Sequence, residues 1–205
     1  IEKQIADFGT WESPLTASLI FQDRRTASNP IPWGDGVLFL LTVPEEKNAL
    51  ALMHCDLAGE LSRVSPPGFS LRSRVHEYGG LPFGCSENEV FYCNLEDQEI
   101  YRQLFDSQEK RFGDPVQLTD SESSDVRYCE ISIDSKRQCL ICVREDHRQS
   151  KGSASAVVNA LVAIPLSEQL PVTADTQVIL FQQADFVSSP SLSTDCEYIS
   201  FVTWS

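Results

Sequence analysis

The 205-residue sequence lacks long hydrophobic runs and is poor in basic residues. No apolar stretch reaches the roughly 18 residues that a transmembrane helix needs, so we expect no membrane contact. Lysine and arginine total 16 against 30 aspartates and glutamates, which gives a formal net charge of −14 at pH 7. A chain with this charge repels nucleic acid and anionic lipid. The composition therefore excludes nucleic-acid binding and favours cationic or amine-bearing partners.

Signals of export and of disulfide pairing are also missing. The first residues, IEKQIADFGTWESPLT, contain neither the basic nor the apolar segment of a signal peptide. The seven cysteines are an odd number, and no Asn-x-Ser/Thr glycosylation site occurs. Both features favour a reducing compartment, so we predict a cytoplasmic protein. Because the sequence starts at Ile1 and stops in FVTWS, we expect that it was cut from something longer.

A sustained helical period is absent as well. Only residues 11–22 have room for a turn or two of helix. Short apolar segments, often β-branched or aromatic, alternate with turns of Gly, Asp, Asn, Ser and Pro, and this pattern predicts an all-β chain. The predicted strands are 36–43, 49–57, 89–95, 99–105, 138–145, 160–166, 177–183 and 197–204.

These strands recur in units of roughly 50 residues with about four strands each, a spacing typical of β-propeller blades. A β-sandwich is the alternative, but one turn signature per four strands argues against it. The sequence thus predicts an incomplete β-propeller of about three and a half four-stranded blades. The predicted blades span about 31–66, about 74–120 and about 126–182, and a fourth begins at about 186–205.

Several motifs resemble those of a known family. They are FGTWESPLTAS near the start, SRVHEYGG at 73–80, CVREDH at 142–147, SPSLSTD at 189–195 and the closing FVTW. In this order they resemble the N-terminal propeller of prolyl oligopeptidase family serine peptidases, in the acylaminoacyl-peptidase or dipeptidyl-aminopeptidase branch. The resemblance implies a propeller that limits access to short peptides and sits on a C-terminal α/β-hydrolase domain. That domain would carry a Ser-Asp-His triad.

The sequence has no G-x-S-x-G nucleophile motif. We therefore expect no catalytic residue within these 205 residues, and the hydrolase domain is the expected partner of this propeller. Peptide hydrolysis by this segment alone is not expected. No cofactor is expected, and the oligomeric state is open. Whether the substrates are acylated, free-amine or proline-containing peptides is also open.

SRVHEYGG concentrates titratable side chains in one predicted crossover between blades. In an up-and-down blade, such a crossover lies at the same end as the loop that follows the second strand. A carboxylate there is a reasonable receptor for the α-ammonium group of a peptide. Glu77 is our candidate for that role, with Arg74, His76 and Tyr78 beside it.

A second polar group follows the second strand of the third predicted blade. It comprises Arg144, Glu145, Asp146 and His147, which we expect at a domain interface or behind the substrate-binding residues. The structural alternative is that Arg74, Glu77, Arg144 and Glu145 form ion pairs between blades, since such networks commonly mimic sites.

Cys139, Cys142 and His147 carry side chains of the types that bind metal ions. The two cysteines lie three apart within one apolar strand, so their side chains point to opposite faces and cannot share an ion. We expect no metal and treat these cysteines as small buried hydrophobes.

Two further functional classes stay open at the level of sequence. The first is a non-catalytic propeller scaffold that binds a protein partner through an acidic loop face. The second is a propeller enzyme with chemistry in its own channel. This would need repeated carboxylates or metal ligands on inner strands, and only Glu77 fits.

Overall fold

The computed structural model describes residues 5–10, 13–21, 24–150, 152–153, 156–167 and 169–205. Strands account for 48% and helices for 7%, which confirms the all-β prediction. The predicted helical turn near the N-terminus is α1 (Ala17–Phe21). No helix among the described residues is long and apolar enough to cross a membrane.

Four antiparallel sheets follow one another along the chain. The first contains β1 (Ala27–Trp33), β2 (Gly36–Val43), β3 (Ala49–Asp56) and β4 (Leu61–Arg63). The second contains β5 (Phe83–Cys85), β6 (Glu89–Cys93), β7 (Ile100–Asp106) and β8 (Arg111–Phe112), and β9 (Val116–Gln117) also pairs with β7. β10 (Thr119–Asp120) lies outside these four sheets. The third contains β11 (Val126–Asp134), β12 (Cys139–Asp146), β13 (Val158–Pro165) and β15 (Val178–Phe181). The fourth pairs β16 (Phe186–Leu192) with β17 (Ile199–Trp204).

The sheets pack face to face, and a separate apolar cluster fills each junction. Phe91 and Cys142 share the cluster between the second and third sheets, whereas Ile141 and Val187 share the one between the third and fourth. Leu38 and Tyr92 lie in the cluster between the first and second sheets. β12 is therefore buried on both faces, which explains why its sequence reads as a nearly continuous apolar run. Consecutive sheets stacked in this way form part of a β-propeller, as predicted.

A loop of the third sheet reaches back to the second. β14 (Val172–Thr173) pairs in parallel with β10. The short 3-10 helix Ala174–Thr176 follows and presents its first carbonyl to a buried arginine of β12. This arginine is Arg144, one of the residues predicted for the site, and the contact orients its side chain toward the second sheet.

Candidate functional site

A cleft of about 740 Å³ opens where the crossover segment 73–80 meets the third and fourth sheets. The end of β12, the loop after it and the start of β13 form one side, and the residues that begin β16 form another. Its polar and aromatic lining includes His76, Glu77, Glu145, His147, Asn159, Asp185 and Phe186. Three of these residues carry carboxylates, and none of the described lining residues is a lysine or arginine.

The crossover is a tight turn and not a strand. Val75–Glu77 form a 3-10 helix in which His76 and Glu77 both have left-handed backbone angles, with φ of 53° and 66°. In an extended strand these neighbouring side chains would point to opposite faces. The turn instead brings both of them to the cleft.

The two glycines that end this segment have different roles. Gly79 has a φ of 84°, which a residue with a Cβ rarely adopts. Gly80 lies against the third sheet, where an added Cβ would come within 2.7 Å of the Cys129 sulfur. The paired glycines therefore allow the turn to pack directly on β11.

Arg127 lies at the centre of the charged cluster. Its Nη1 donates to the Arg74 carbonyl at 2.8 Å, to Glu77 Oε1 at 2.7 Å and to Glu145 Oε1 at 3.1 Å. Arg127 and Glu145 are directly opposed on β11 and β12, so their side chains share one face of the sheet. One guanidinium thus connects two carboxylates and the backbone of the crossover.

Glu77 remains open to solvent despite this contact. Its side chain is 77% exposed, whereas that of Glu145 is 4% exposed. The hydrogen bond from Arg127 and the charge of the same group lower the pKa of Glu77, with smaller contributions from His147 and Arg74. Glu77 therefore presents a charged, accessible carboxylate at the mouth of the cleft.

Glu145 has the opposite environment, with every contact directed inward. Its Oε2 accepts the backbone N–H of His76 at 2.7 Å, and its Oε1 accepts His147 Nε2–H at 2.6 Å in addition to Arg127. A buried carboxylate with this many donors is satisfied within the protein. Its arrangement fits a supporting residue better than a ligand-binding one.

The His76 ring forms an aromatic wall together with the fourth sheet. Its Nε2–H donates to Asn159 Oδ1 at 3.1 Å, and the Asn159 amide donates to the Asp185 carbonyl at 2.8 Å. The ring lies edge-on to Phe186 and Trp204, whose own rings stack at 5.2 Å. The cleft thus combines carboxylates on one side with an apolar wall on the other.

The remaining predicted residues divide between the rim and other parts of the sheet. Tyr78 is 77% exposed and contacts the His76 ring, and the exposed Arg74 contributes its backbone carbonyl to the cluster. Arg144 is buried on the opposite face of β12, where Nη1 donates to the Ala174 carbonyl. The structure therefore separates Arg144 from Glu145, because adjacent strand residues face opposite sides.

Asp146 also lies apart from the charged cluster. Its carboxylate accepts Arg148 Nη2 at 2.7 Å, and this pairing lowers its pKa against the effect of burial. In the 3-10 helix Pro44–Glu46, which connects β2 and β3, Glu46 is likewise paired with Arg63. The acidic loop face expected from the sequence is thus largely neutralised by arginines at these positions.

Glu77, Glu145 and His147 place one ligand-capable atom each within 4.8 Å of one another. Arg127 Nη1 already bonds both carboxylates, so a metal ion could join the three groups only if the guanidinium moved away. The earlier cysteine candidates do separate: Cys142 packs toward the second sheet and Cys139 toward the fourth. Burial raises the pKa of Cys142 to about 12, as expected for an unreactive thiol.

Sequence reasoning missed Arg127, which bonds to cleft residues, and several residues of the lining itself. Arg127 lies in β11 and Asn159 in β13 with no motif around them, Asp185 precedes β16, and Phe186 is the first residue of β16. The strand register offered one usable signal, since pairing β11 with β12 places Arg127 opposite Glu145. No sequence pattern marked the other three.

Comparison with protein-family models gave no match, and neither did comparison with curated proteins. Among solved structures, a puromycin-hydrolyzing peptidase of Mycobacterium tuberculosis is 27% identical over 98% of this chain, with a TM-score of 0.77. Puromycin hydrolase is 22% identical over 97% of the chain, with a TM-score of 0.78. A mutant of puromycin hydrolase complexed with PGG gives a TM-score of 0.79 at the same identity and coverage of this chain.

The chain spans about a third of these proteins, 31% of each matched chain. The similarity covers 97–98% of this chain, and what it shows is a shared fold. The prediction from those motifs is thus confirmed: this chain resembles the propeller portion of a prolyl oligopeptidase family peptidase.

Proposed function

We propose that this chain is the propeller portion of a serine peptidase, and that its cleft receives the free amino end of a short peptide. The observation that carries the proposal is the Glu77 carboxylate, whose side chain is 77% exposed at the cleft although its Oε1 is bonded to Arg127. An ammonium group favours such surroundings, because hydrogen bonds between ionised groups are roughly twice as strong as neutral ones. The fold shared with puromycin-hydrolyzing peptidases supports the peptidase assignment.

In this proposal the propeller supplies no reacting atom. The acyl-transfer chemistry would belong to a Ser-His-Asp triad on an α/β-hydrolase domain outside residues 1–205. The propeller would limit access to that domain and position the substrate. A charged group that binds the peptide's amino end fixes the distance from that end to the cleaved bond.

The charge of the cleft also favours one substrate class among those left open by the sequence. An N-acylated peptide has no ammonium group and could not form a charge-assisted hydrogen bond with the exposed Glu77 carboxylate. We therefore propose free-amine peptides, and puromycin is a further compound to test because the similar proteins are named for it.

The proposed location is the cytoplasm. All seven cysteines are free thiols, which supports a reducing compartment. The alternative role, a scaffold that binds a protein through an acidic loop face, is less favoured because Glu46 and Asp146 are already paired with arginines.

The test is Glu77→Gln in the complete peptidase that this proposal implies, with the propeller and the hydrolase domain together. Losing one charge-assisted hydrogen bond of about 1.5–3 kcal/mol should lower kcat/KM for a free-amine tripeptide roughly tenfold to a hundredfold. The same peptide with an N-acetyl group should be cleaved equally by both forms. Glu60→Gln, at an exposed position in the turn between β3 and β4, is the matched control. An equal loss for free and acetylated peptides would refute the amine-binding role.

A further inference from the structure

Arg127 is more than a counter-ion of the cleft: we infer that it is a positioning residue that holds the crossover turn and orients the Glu77 carboxylate. This inference rests on the proposed function for its consequence, but the structural part stands on the contacts alone. Arg127 is 50 residues from Glu77 in the sequence, and it belongs to a different sheet from the strands that flank the crossover.

The turn needs external support because of its backbone conformation. His76 and Glu77 are consecutive non-glycine residues with positive φ, a conformation that L-residues adopt at an energetic cost. Such a conformation persists where contacts with the surrounding structure stabilise it enough to offset this cost. The turn's own hydrogen bonds, from Glu77 N–H to the Arg74 carbonyl and from Gly79 N–H to the Val75 carbonyl, are local.

The third sheet supplies the missing support at two points. Glu145 Oε2 accepts the His76 N–H, and Arg127 Nη1 donates to the Arg74 carbonyl. The same guanidinium then bonds Glu77 Oε1, so the turn and its side chain are held by one group. Val75 is completely buried beneath them in the cluster between the third and fourth sheets.

The charge balance explains why this residue is basic. Without Arg127, the Glu77 and Glu145 carboxylates would lie close together with no guanidinium between them. The side chains of Arg127 and Glu145 are only 15% and 4% exposed, so their attraction is weakly screened by solvent, whereas the attraction to the 77% exposed Glu77 is screened more strongly. Two carboxylates around one guanidinium leave a net negative charge, which is what an incoming ammonium group requires.

Hydrogen exchange of the His76, Glu77 and Gly79 amides tests the positioning role directly, without any ligand. In Arg127→Gln these amides should exchange about tenfold faster or more, while the Leu161 amide in β13 stays protected. Arg127→Lys, which keeps the charge, should restore part of the protection. Arg63→Gln, which removes the pairing with Glu46 in the first sheet, is the control and should leave the turn unchanged.

Binding of a free-amine tripeptide and its N-acetyl form provides the functional readout on the same variants. The dissociation constant of the free-amine form should rise about tenfold in Arg127→Gln and recover in part in Arg127→Lys. Unchanged exchange at the turn would overturn the positioning role. Equal binding of the two peptides by the unmodified protein would instead overturn the proposed function and leave the exchange result standing. Should Arg127→Gln fail to fold, Arg127→Lys with full loss of turn protection would also overturn the inference.

Discussion

Glu99 precedes β7 and places a carboxylate that is 3% exposed at the junction with β10. It accepts hydrogen bonds from Thr119 Oγ1 at 2.5 Å and from the Ser121 N–H at 2.8 Å, and also from the Ser121 hydroxyl. Burial raises its pKa, and these hydrogen bonds oppose the rise only in part. A buried acid held by hydroxyl and amide groups differs from Glu145, whose charge is balanced by Arg127.

This difference predicts a pH-dependent effect of Glu99→Gln. A pKa raised in the folded state contributes stability that is complete below the unfolded value and is lost as the pH rises through the folded value. Glutamine does not ionise, so Glu99→Gln is spared this loss of stability. The melting temperature of the variant, relative to that of the unmodified protein, should therefore increase as the pH is raised from 4 to 8. Thermal melts at several pH values measure the difference. A variant that becomes relatively less stable as the pH rises would contradict the raised pKa.

At the scale of elements, the contact between β5 and β11 depends on a glycine. A Cβ built on Gly84 would lie 2.5 Å from the Ile131 carbonyl oxygen and 3.2 Å from the Ile131 Cβ. Backbone atoms of a strand cannot rotate away as a side-chain tip can. The two strands therefore approach closely only because this residue has no side chain.

Gly84→Ala should therefore destabilise the protein by about 1–3 kcal/mol, the usual cost of overpacking a well-packed interior. For a chain of this size, each kcal/mol lowers the melting temperature by about 2–4 °C. Gly113→Ala is the control, because its Cβ would meet only the Leu104 carbonyl oxygen at an ordinary 3.7 Å. Equal urea midpoints for the two variants would show that β5 and β11 can separate at little cost.

At the scale of the whole molecule, the net charge is −14. Several acidic groups are paired with arginines, among them Glu45, Glu46, Glu89, Asp134 and Asp146. Salt weakens those pairs, but it also screens the repulsion among the excess carboxylates. The Debye length falls from about 30 Å at 0.01 M to about 10 Å at 0.1 M ionic strength. Repulsion acts over longer distances than contact pairs, so screening affects it more.

The melting temperature should therefore rise when NaCl increases from about 0.01 M to about 0.1 M. KCl should act equally, since screening depends on ionic strength and not on the identity of the cation. A fall in melting temperature would show that the arginine–carboxylate pairs outweigh the excess negative charge.

Local sequence patterns were sufficient for the all-β class, which follows from short apolar segments between turns, and for the repeated units, which follow from the recurrence of those segments. The separation of Cys139 from Cys142 follows from the period of two along a strand. Local patterns also located the crossover that carries Glu77. They did not reveal its conformation, because no local preference of the segment predicts left-handed backbone angles at His76 and Glu77. That turn is stabilised by hydrogen bonds with Arg127 and Glu145, which are distant in the sequence.

The sequence by itself thus determined the sheet architecture and the segment that bears the accessible carboxylate. Only the tertiary structure decided which charges meet there. In the folded protein the Arg144 side chain lies at the junction with the second sheet, and Arg127 lies between Glu77 and Glu145. The tertiary structure also placed Phe186 against His76. The physical reason is that strand periodicity acts between neighbours in the chain, whereas the cleft is formed by side chains from two sheets, the loop after β12 and a crossover, which meet only when the sheets stack.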